Sequence, residues 1–234
     1  MVKMVVSSFY NALLDEEEAI PASTMVEIDR IRQKGITFSI CTNRLYTEVL
    51  EYNKDFPFVD YIISLNGAYI YDVEKKKELL KNKLSSPNIK KIVALFTDYP
   101  IYYYTENNVY RSLDEVGDKD IYKIEIEIDD DAEKEKLQKL NVNSSILLWN
   151  HKKYLEITSS RSNMFSGVDR VSIKLNINLN DIVVVGSNES DIALIKAIPK
   201  RYIMKNSCKL LLKEKEKKTA SNSEKGVERI LKKI

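Results

Sequence analysis

The rhythm of apolar residues divides this chain into three stretches. In the first, short unbroken apolar runs alternate with helical periodicity. Val2–Val6 is a β-prone run of the kind that a parallel strand buried on both faces requires. A helix follows: Pro21 pre-sets its entry, Ser23 or Thr24 is placed to cap it, and Met25, Ile28 and Ile31 recur on one face. Gly35 supplies the stop, and Ile36–Ile40 reads as a second strand, completing a β-α-β unit. A helix over Leu45–Tyr52 leads through Pro57 to a strand at Tyr61–Ser64. Asn66-Gly67 predicts a tight turn into an extended partner over Ala68–Tyr71.

The rhythm then changes. From Lys83 to Thr158 short strands alternate with two helices, predicted over Asn88–Phe96 and Asp131–Leu140. The strands are Ile101–Tyr104, Val109–Ser112, Tyr122–Ile128, Ser145–Trp149 and Tyr154–Thr158, with hairpin turns at Asn107-Asn108 and Asn150-His151. The last third returns to the first pattern. Val168–Leu175 is helical, Asp181–Gly186 is a buried strand ending in glycine, and Ile192–Ala197 is a helix. A strand at Arg201–Met204 and a helix at Val227–Leu231 close the chain. The expected class is therefore α/β: a parallel-sheet core from residues 1–82 and 159–234, with a smaller α+β insert at 83–158.

Ligands of open α/β sheets bind beyond the carboxyl ends of the strands. Four segments should meet there: Ser8–Asn11, Thr42–Arg44, the region of Met164, and Gly186–Asp191, with the insert above them as a lid.

Composition narrows the function classes. The 37 basic and 35 acidic residues leave a net charge of +2, without the basic footprint that nucleic-acid binding requires. The run Lys213–Lys218 mixes signs and reads as a solvated helix face. No stretch approaches the roughly 18 apolar residues of a membrane span, and the first residues do not form a signal peptide. Cys41 and Cys208 are too few for a disulfide framework, so a cytoplasmic setting with free thiols is expected.

Three segments carry a resemblance. Ile63-Ser64-Leu65-Asn66-Gly67-Ala68, Val185-Gly186-Ser187-Asn188-Glu189-Ser190-Asp191 and Thr219-Ala220-Ser221-Asn222-Ser223-Glu224-Lys225-Gly226-Val227 resemble the I-x-x-N-G-A, G-D-x-x-N-D and T-x-x-N-x-x-x-G-V segments of one group. That group is the Cof-like phosphatases with an α/β cap, within the haloacid dehalogenase (HAD) superfamily. Asn206 matches the asparagine of its G-N-A loop. The similarity runs nearly end to end and is weakest in the insert, which the resemblance makes a cap on a Rossmann-like core.

Such enzymes use a D-x-D-G-T loop whose first Asp attacks phosphorus and whose second protonates the leaving oxygen. A Ser/Thr and a Lys hold the phosphoryl oxygens, and a later Asp completes a Mg²⁺ site. Here the loop aligns with Ser8-Phe9-Tyr10-Asn11-Ala12, so Ser8 stands at the nucleophile and Tyr10 at the acid/base position. Met164 falls at the lysine and Ser187 at a metal aspartate. Thr42, Arg44 and Asp191 match the pattern. Asp191 alone is a poor Mg²⁺ site, Ser8 has no evident base beside it, and Tyr10 is an unactivated phenol at neutral pH. No catalytic residue and no cofactor are therefore expected. Mg²⁺ belongs only to the alternative, an active phosphatase acting on phosphoglycolate or a sugar phosphate.

The expected role is to bind a phosphorylated metabolite or a protein partner, with neither nucleic acid nor membrane involved. Thr42, Asn43, Arg44, Asn66 and Asn206 are the candidate anion-binding residues. Plainer readings stand beside these. Ser8 and Tyr10 fill the vacated pocket and hydrogen-bond Asp191, and Asp191 complements a helix dipole. Thr42 and Arg44 are equally well a loop hydroxyl and a surface cation. His151 is an exposed turn residue, Cys41 is structural, and Tyr102–Tyr104 pack a sheet.

Overall fold

The uninterrupted apolar runs form the centre of the larger of two sheets. The computed structural model describes residues 1–214 and 217–234. Its first sheet has seven strands: β1 (Met4–Ser8), β2 (Thr37–Cys41), β3 (Tyr61–Ser64), β4 (Tyr69–Asp72), β5 (Lys77–Lys81), β11 (Ile182–Gly186) and β12 (Lys200–Ile203). Their spatial order is β12-β11-β1-β2-β3-β4-β5. The first five in that order run parallel, while β4 and β5 pair antiparallel at one edge. Every residue of β1, β3 and β11 is buried, because helices cover both faces.

Alternation decides which face each strand residue serves. Val5, Val183 and Val185 pack with Ile28 and Ile31 of α1 (Ala22–Gln33) and with α8 (Gly226–Leu231). Met4, Val6, Ile182 and Val184 pack with Val168 and Val171 of α5 (Met164–Leu175) and with α6 (Ile192–Ala197). The helix α2 (Tyr46–Asn53) lies between β2 and β3.

The second sheet comes from the middle of the chain. Its strands β6 (Ile101–Tyr104), β7 (Val109–Tyr110), β8 (Lys123–Ile128), β9 (Val142–Trp149) and β10 (Lys152–Ser159) lie in the order β7-β6-β8-β10-β9, all antiparallel. Helices α3 (Ser86–Leu95) and α4 (Leu113–Val116) belong to the same stretch, and α7 (Lys209–Leu212) follows β12. A separate apolar cluster, including Ile92, Phe96, Ile124, Ile126 and Leu155, gives this layer its own core.

Several local expectations are corrected. Pro21 itself is the N-cap of α1, and Ser23 and Thr24 lie inside the helix and donate to Glu228 Oε2 at 2.7 and 3.3 Å. Their hydroxyls serve helix–helix packing rather than a cap. Asp131–Leu137 forms 3₁₀ turns, not a full helix, since only Leu137 is buried and no apolar stripe supports more. Strand β5 was not expected, because Lys77–Lys81 has little apolar alternation. In the Lys213–Lys218 run, Lys215 and Glu216 lie outside the described residues. Lys213 and Glu214 form a turn, and Lys218 bridges Ile203 in extended conformation, so the described residues of the run form no helix face.

Candidate functional site

β1 stands between β11 and β2, where the order of strands reverses, so its carboxyl end is the switch point of the sheet. Register pairs Ser8 with Cys41, and Ser7 with Val185, which sets Ser8 beside the Gly186–Asp191 loop. Ser8 Oγ donates to Asp191 Oδ2 at 2.7 Å. The same oxygen accepts the amides of Ser187 and Asn188 at 2.8 and 2.9 Å. Ser187 Oγ donates to the Tyr10 carbonyl at 3.1 Å, which fastens the two loops together. Burial raises the Asp191 carboxyl above its usual value, against those three donors. It also pushes the neighbouring Cys41 thiol up, and the thiol sits among apolar side chains.

This closeness changes one expectation. Ser8 does have a carboxylate beside it, the Asp191 of the plainer reading 183 positions away in sequence, whereas Tyr10 does not share that bond. Ser8 and Asp191 are almost fully buried, at 3% and 1% exposure.

Tyr10 turns away from that cluster. Its hydroxyl donates to Glu48 Oε2 at 3.1 Å, and burial, then Glu48, raises the phenol well above its ordinary value. Its ring meets Trp149 of β9 edge-on, with centroids 5.6 Å apart. The Arg44 guanidinium lies 5.3 Å from the Trp149 ring and 5.9 Å from that of Tyr10. Thr42 is buried, its Oγ1 accepting the Arg44 amide at 3.1 Å. Met164, at the start of α5, is buried among apolar residues. Asn206 joins the Asn11 carbonyl to the Asn222 amide rather than to this cluster.

Charged groups from the second sheet reach the same loops. Lys123 of β8 is fully buried, and its ammonium donates to the Asn43 carbonyl, Glu125 Oε2 and Glu156 Oε1 at 2.8, 2.8 and 3.2 Å. Those three bonds use all its protons, so Lys123 has none left for a phosphate. Burial pulls the ammonium's pKa down, but Glu125, Tyr104 and Glu156 outweigh it and hold it above the usual value. For Glu125, burial is likewise outweighed by Lys123, Arg44 and Tyr104, leaving the carboxyl low. Asn43 Nδ2 donates to Glu156 Oε1, and Asn66 Nδ2 and Ser145 Oγ donate to Glu156 Oε2. Sequence reading missed this network. Its only signal was charge on alternate positions, Lys123 and Glu125, within an apolar strand.

The Leu65–Gly67 turn hangs from the Thr42–Arg44 loop through the amides of Leu65 and Asn66. Gly67 is obligatory there. Its φ is +84°, and a Cβ would stand 2.1 Å from the Asn163 carbonyl at the start of α5. His151 lies exposed in the β9–β10 turn, where it and Asn150 both have positive φ.

The residues here do not suit Mg²⁺. Hydroxyls occupy positions 8 and 187, and the one Asp191 oxygen facing them already takes three donors. Among the described residues no group of three or more His, Cys, Asp or Glu is arranged to hold a metal ion.

A model of the haloacid dehalogenase-like hydrolases matches residues 11–116 and 102–231. The chain belongs to that family. The 5-amino-6-(5-phospho-D-ribitylamino)uracil phosphatase YcsE of Bacillus subtilis is 24% identical over 97% of this chain and 93% of its own length. A haloacid dehalogenase-like hydrolase structure from B. subtilis superposes with a TM-score of 0.89 at 16% identity, covering 99% of each chain. A sugar phosphatase of HAD subclass IIB gives 0.87 at 19% identity over 99% of this chain and 98% of its own. Identity this low establishes the fold, a core sheet with a second, antiparallel cap sheet. No helix among the described residues is long and apolar enough to cross a membrane.

Proposed function

We propose that this family member has lost phosphatase catalysis and acts by binding a small metabolite, with residues 83–158 closed as a cap over a core of 1–82 and 159–234. The observation that carries this reading is the use made of Asp191. The carboxylate that would help hold a metal is buried and bonded to the hydroxyl at the nucleophile position. With Tyr10 committed to Glu48 and the cap, no acid faces a leaving group. With Met164 in place of a lysine and Lys123 saturated, neither position offers an ammonium to a phosphoryl group.

Calorimetric titration with Mg²⁺ tests the loss directly. The wild-type protein should show no saturable binding in the range where Ser8→Asp/Ser187→Asp does. Saturable Mg²⁺ binding by the wild type, abolished in Asp191→Asn, would sink the proposal.

A second reading, an active small-molecule phosphatase, has one geometric observation in its favour: the 2.7 Å contact that makes Asp191 a base for Ser8. The printed activity of the B. subtilis relative points the same way. Ser8 Oγ would attack phosphorus and pass its proton to Asp191. The departing alkoxide would then need a proton, which Tyr10 is not placed to give. Two backbone amides oppose, but do not outweigh, the burial that raises the Asp191 carboxyl, so it is the missing acid rather than the base that counts against this reading.

A further inference from the structure

A different part of the cap–core junction is open. A cleft of about 300 Å³ lies between β9 and β10 on one side, and the start of α5 with the Glu189–Ser190 turn on the other. None of Ser8, Tyr10, Thr42, Arg44, Ser187 and Asp191 lines it. Met164, at the family's lysine position, and Asn66 and the Glu189–Ser190 turn do line it, so the cleft borders the family's site without including the Ser8–Asp191 cluster.

Its charges are already matched. Lys134 and Glu189 pair across the cleft at 2.7 Å. Both oxygens of Glu156 are taken, one by Asn43 and Lys123 and the other by Asn66 and Ser145. An anion entering here would meet two carboxylates and a lysine that is already paired. The remaining polar lining is neutral, including Asn143, Ser144, Thr158 and Ser190. Met164, Ile192 and Leu210 supply an apolar strip.

Two oxygens of this lining lack partners. Asn66 Oδ1 and Ser162 Oγ are buried and make no hydrogen bond, and their residues are only 6% and 0% exposed. Buried polar atoms are rarely left so, because an unmade bond forfeits solvation without return. Both residues border the same cleft. One oxygen accepts only, and the other donates and accepts, which suits a ligand hydroxyl.

We propose that the cleft takes a neutral, hydroxyl-rich small molecule of sugar or polyol type, in unphosphorylated form. This names the ligand class for the metabolite-binding role above, and it rests on that reading. Hydroxyls of the ligand engage Asn66 Oδ1 and Ser162 Oγ after a small local adjustment, and its C–H face lies on Met164, Ile192 and Leu210.

The test titrates the wild-type protein calorimetrically with glucose and sorbitol, and in parallel with their phosphate monoesters. Phosphate release with Mg²⁺ is followed in the same samples. At least one neutral compound should bind, and its ester should bind roughly tenfold more weakly. Ser162→Ala should keep the wild-type melting temperature, since the hydroxyl makes no bond within the protein, yet weaken that binding several-fold. Esters binding as tightly as the neutral compounds, or no binding by either neutral compound, overturns the proposal. So does unchanged affinity in Ser162→Ala. Phosphate release would instead overturn the non-catalytic reading, and the affinities would still decide the ligand class.

Discussion

The junction between core and cap is built in two opposite ways. Around Ser8, Thr42 and Lys123 it is dry: hydroxyls, carboxylates, an ammonium and two aromatic rings satisfy one another, and little reaches solvent. Around Asn143, Ser144 and Ser190 it stays open, lined by neutral groups, with two buried and unpartnered oxygens, of Asn66 and Ser162, at its border. Under the proposed reading, the fold has closed over the place where its family's chemistry would occur and kept a cavity bordering it. On the closed side, the hydroxyls of Ser8, Tyr10 and Ser187 each have a partner in the protein. On the open side, two buried oxygens have found none.

The dry side breaks most severely at Lys123. Lys123→Met leaves Glu125 and Glu156 buried without their cation and should cost about 3–5 kcal/mol in denaturant unfolding. Lys123→Met with Glu125→Gln and Glu156→Gln should recover much of that loss, because no uncompensated charge remains. A single substitution costing nothing would show that the network does not hold the cap.

Acid probes the same network more gently. Glu125 is held below its usual value of 4.5, so its contribution is present above that pH and disappears as pH falls through the folded value. Lys123 is held above 10.5, so its contribution is complete below that pH and is lost only as pH rises through the folded value. Melting temperature should therefore decline on the acid side, and Glu125→Gln should flatten that decline. Asp191 acts oppositely, since its raised carboxyl favours the folded state most below 3.8. An acid limb identical in Glu125→Gln would remove Glu125 from the account.

Smaller effects sharpen the contrast. Ser8→Ala removes one of three donors to Asp191 and should cost about 1 kcal/mol by chemical denaturation. A loss of several times that would mean the hydroxyl supports more than Asp191. At the rim of the cleft, Lys134→Ala breaks a part-exposed pair with Glu189 and should change stability by less than about 1 kcal/mol. A larger loss would make that pair a structural clamp.

Much of the fold was legible because local signals agreed with tertiary demand. Ile182–Gly186 is an apolar run and a buried parallel strand, Gly35 has the positive φ expected of it at +76°, and Asn150-His151 makes the hairpin turn. Elements without such agreement were lost: Lys77–Lys81 is strand because β4 offers an edge, not because its residues prefer one. The site was legible as a set of positions. Ser8 and Ser187 meet at Asp191, while the Tyr10 side chain turns to Glu48 and Thr42 to its own loop, and several of these partners lie far away in sequence. Glu48 takes Tyr10, Asp191 takes Ser8, and Trp149 stacks on Arg44. Long-range pairing of this kind is set by topology and leaves no periodic trace. The buried Lys123 was hidden for the same reason, since a lone lysine in a strand usually faces water.

Phosphoryl transfer is the activity that the closed side is proposed to have lost. Its most direct test is the rate of phosphate release from a panel of phosphate monoesters by purified wild-type protein with Mg²⁺, beside Asp191→Asn and a mock purification. All three should release phosphate at the same background rate. Mg²⁺-dependent turnover by the wild type that vanishes in Asp191→Asn and is absent from the mock would contradict that loss.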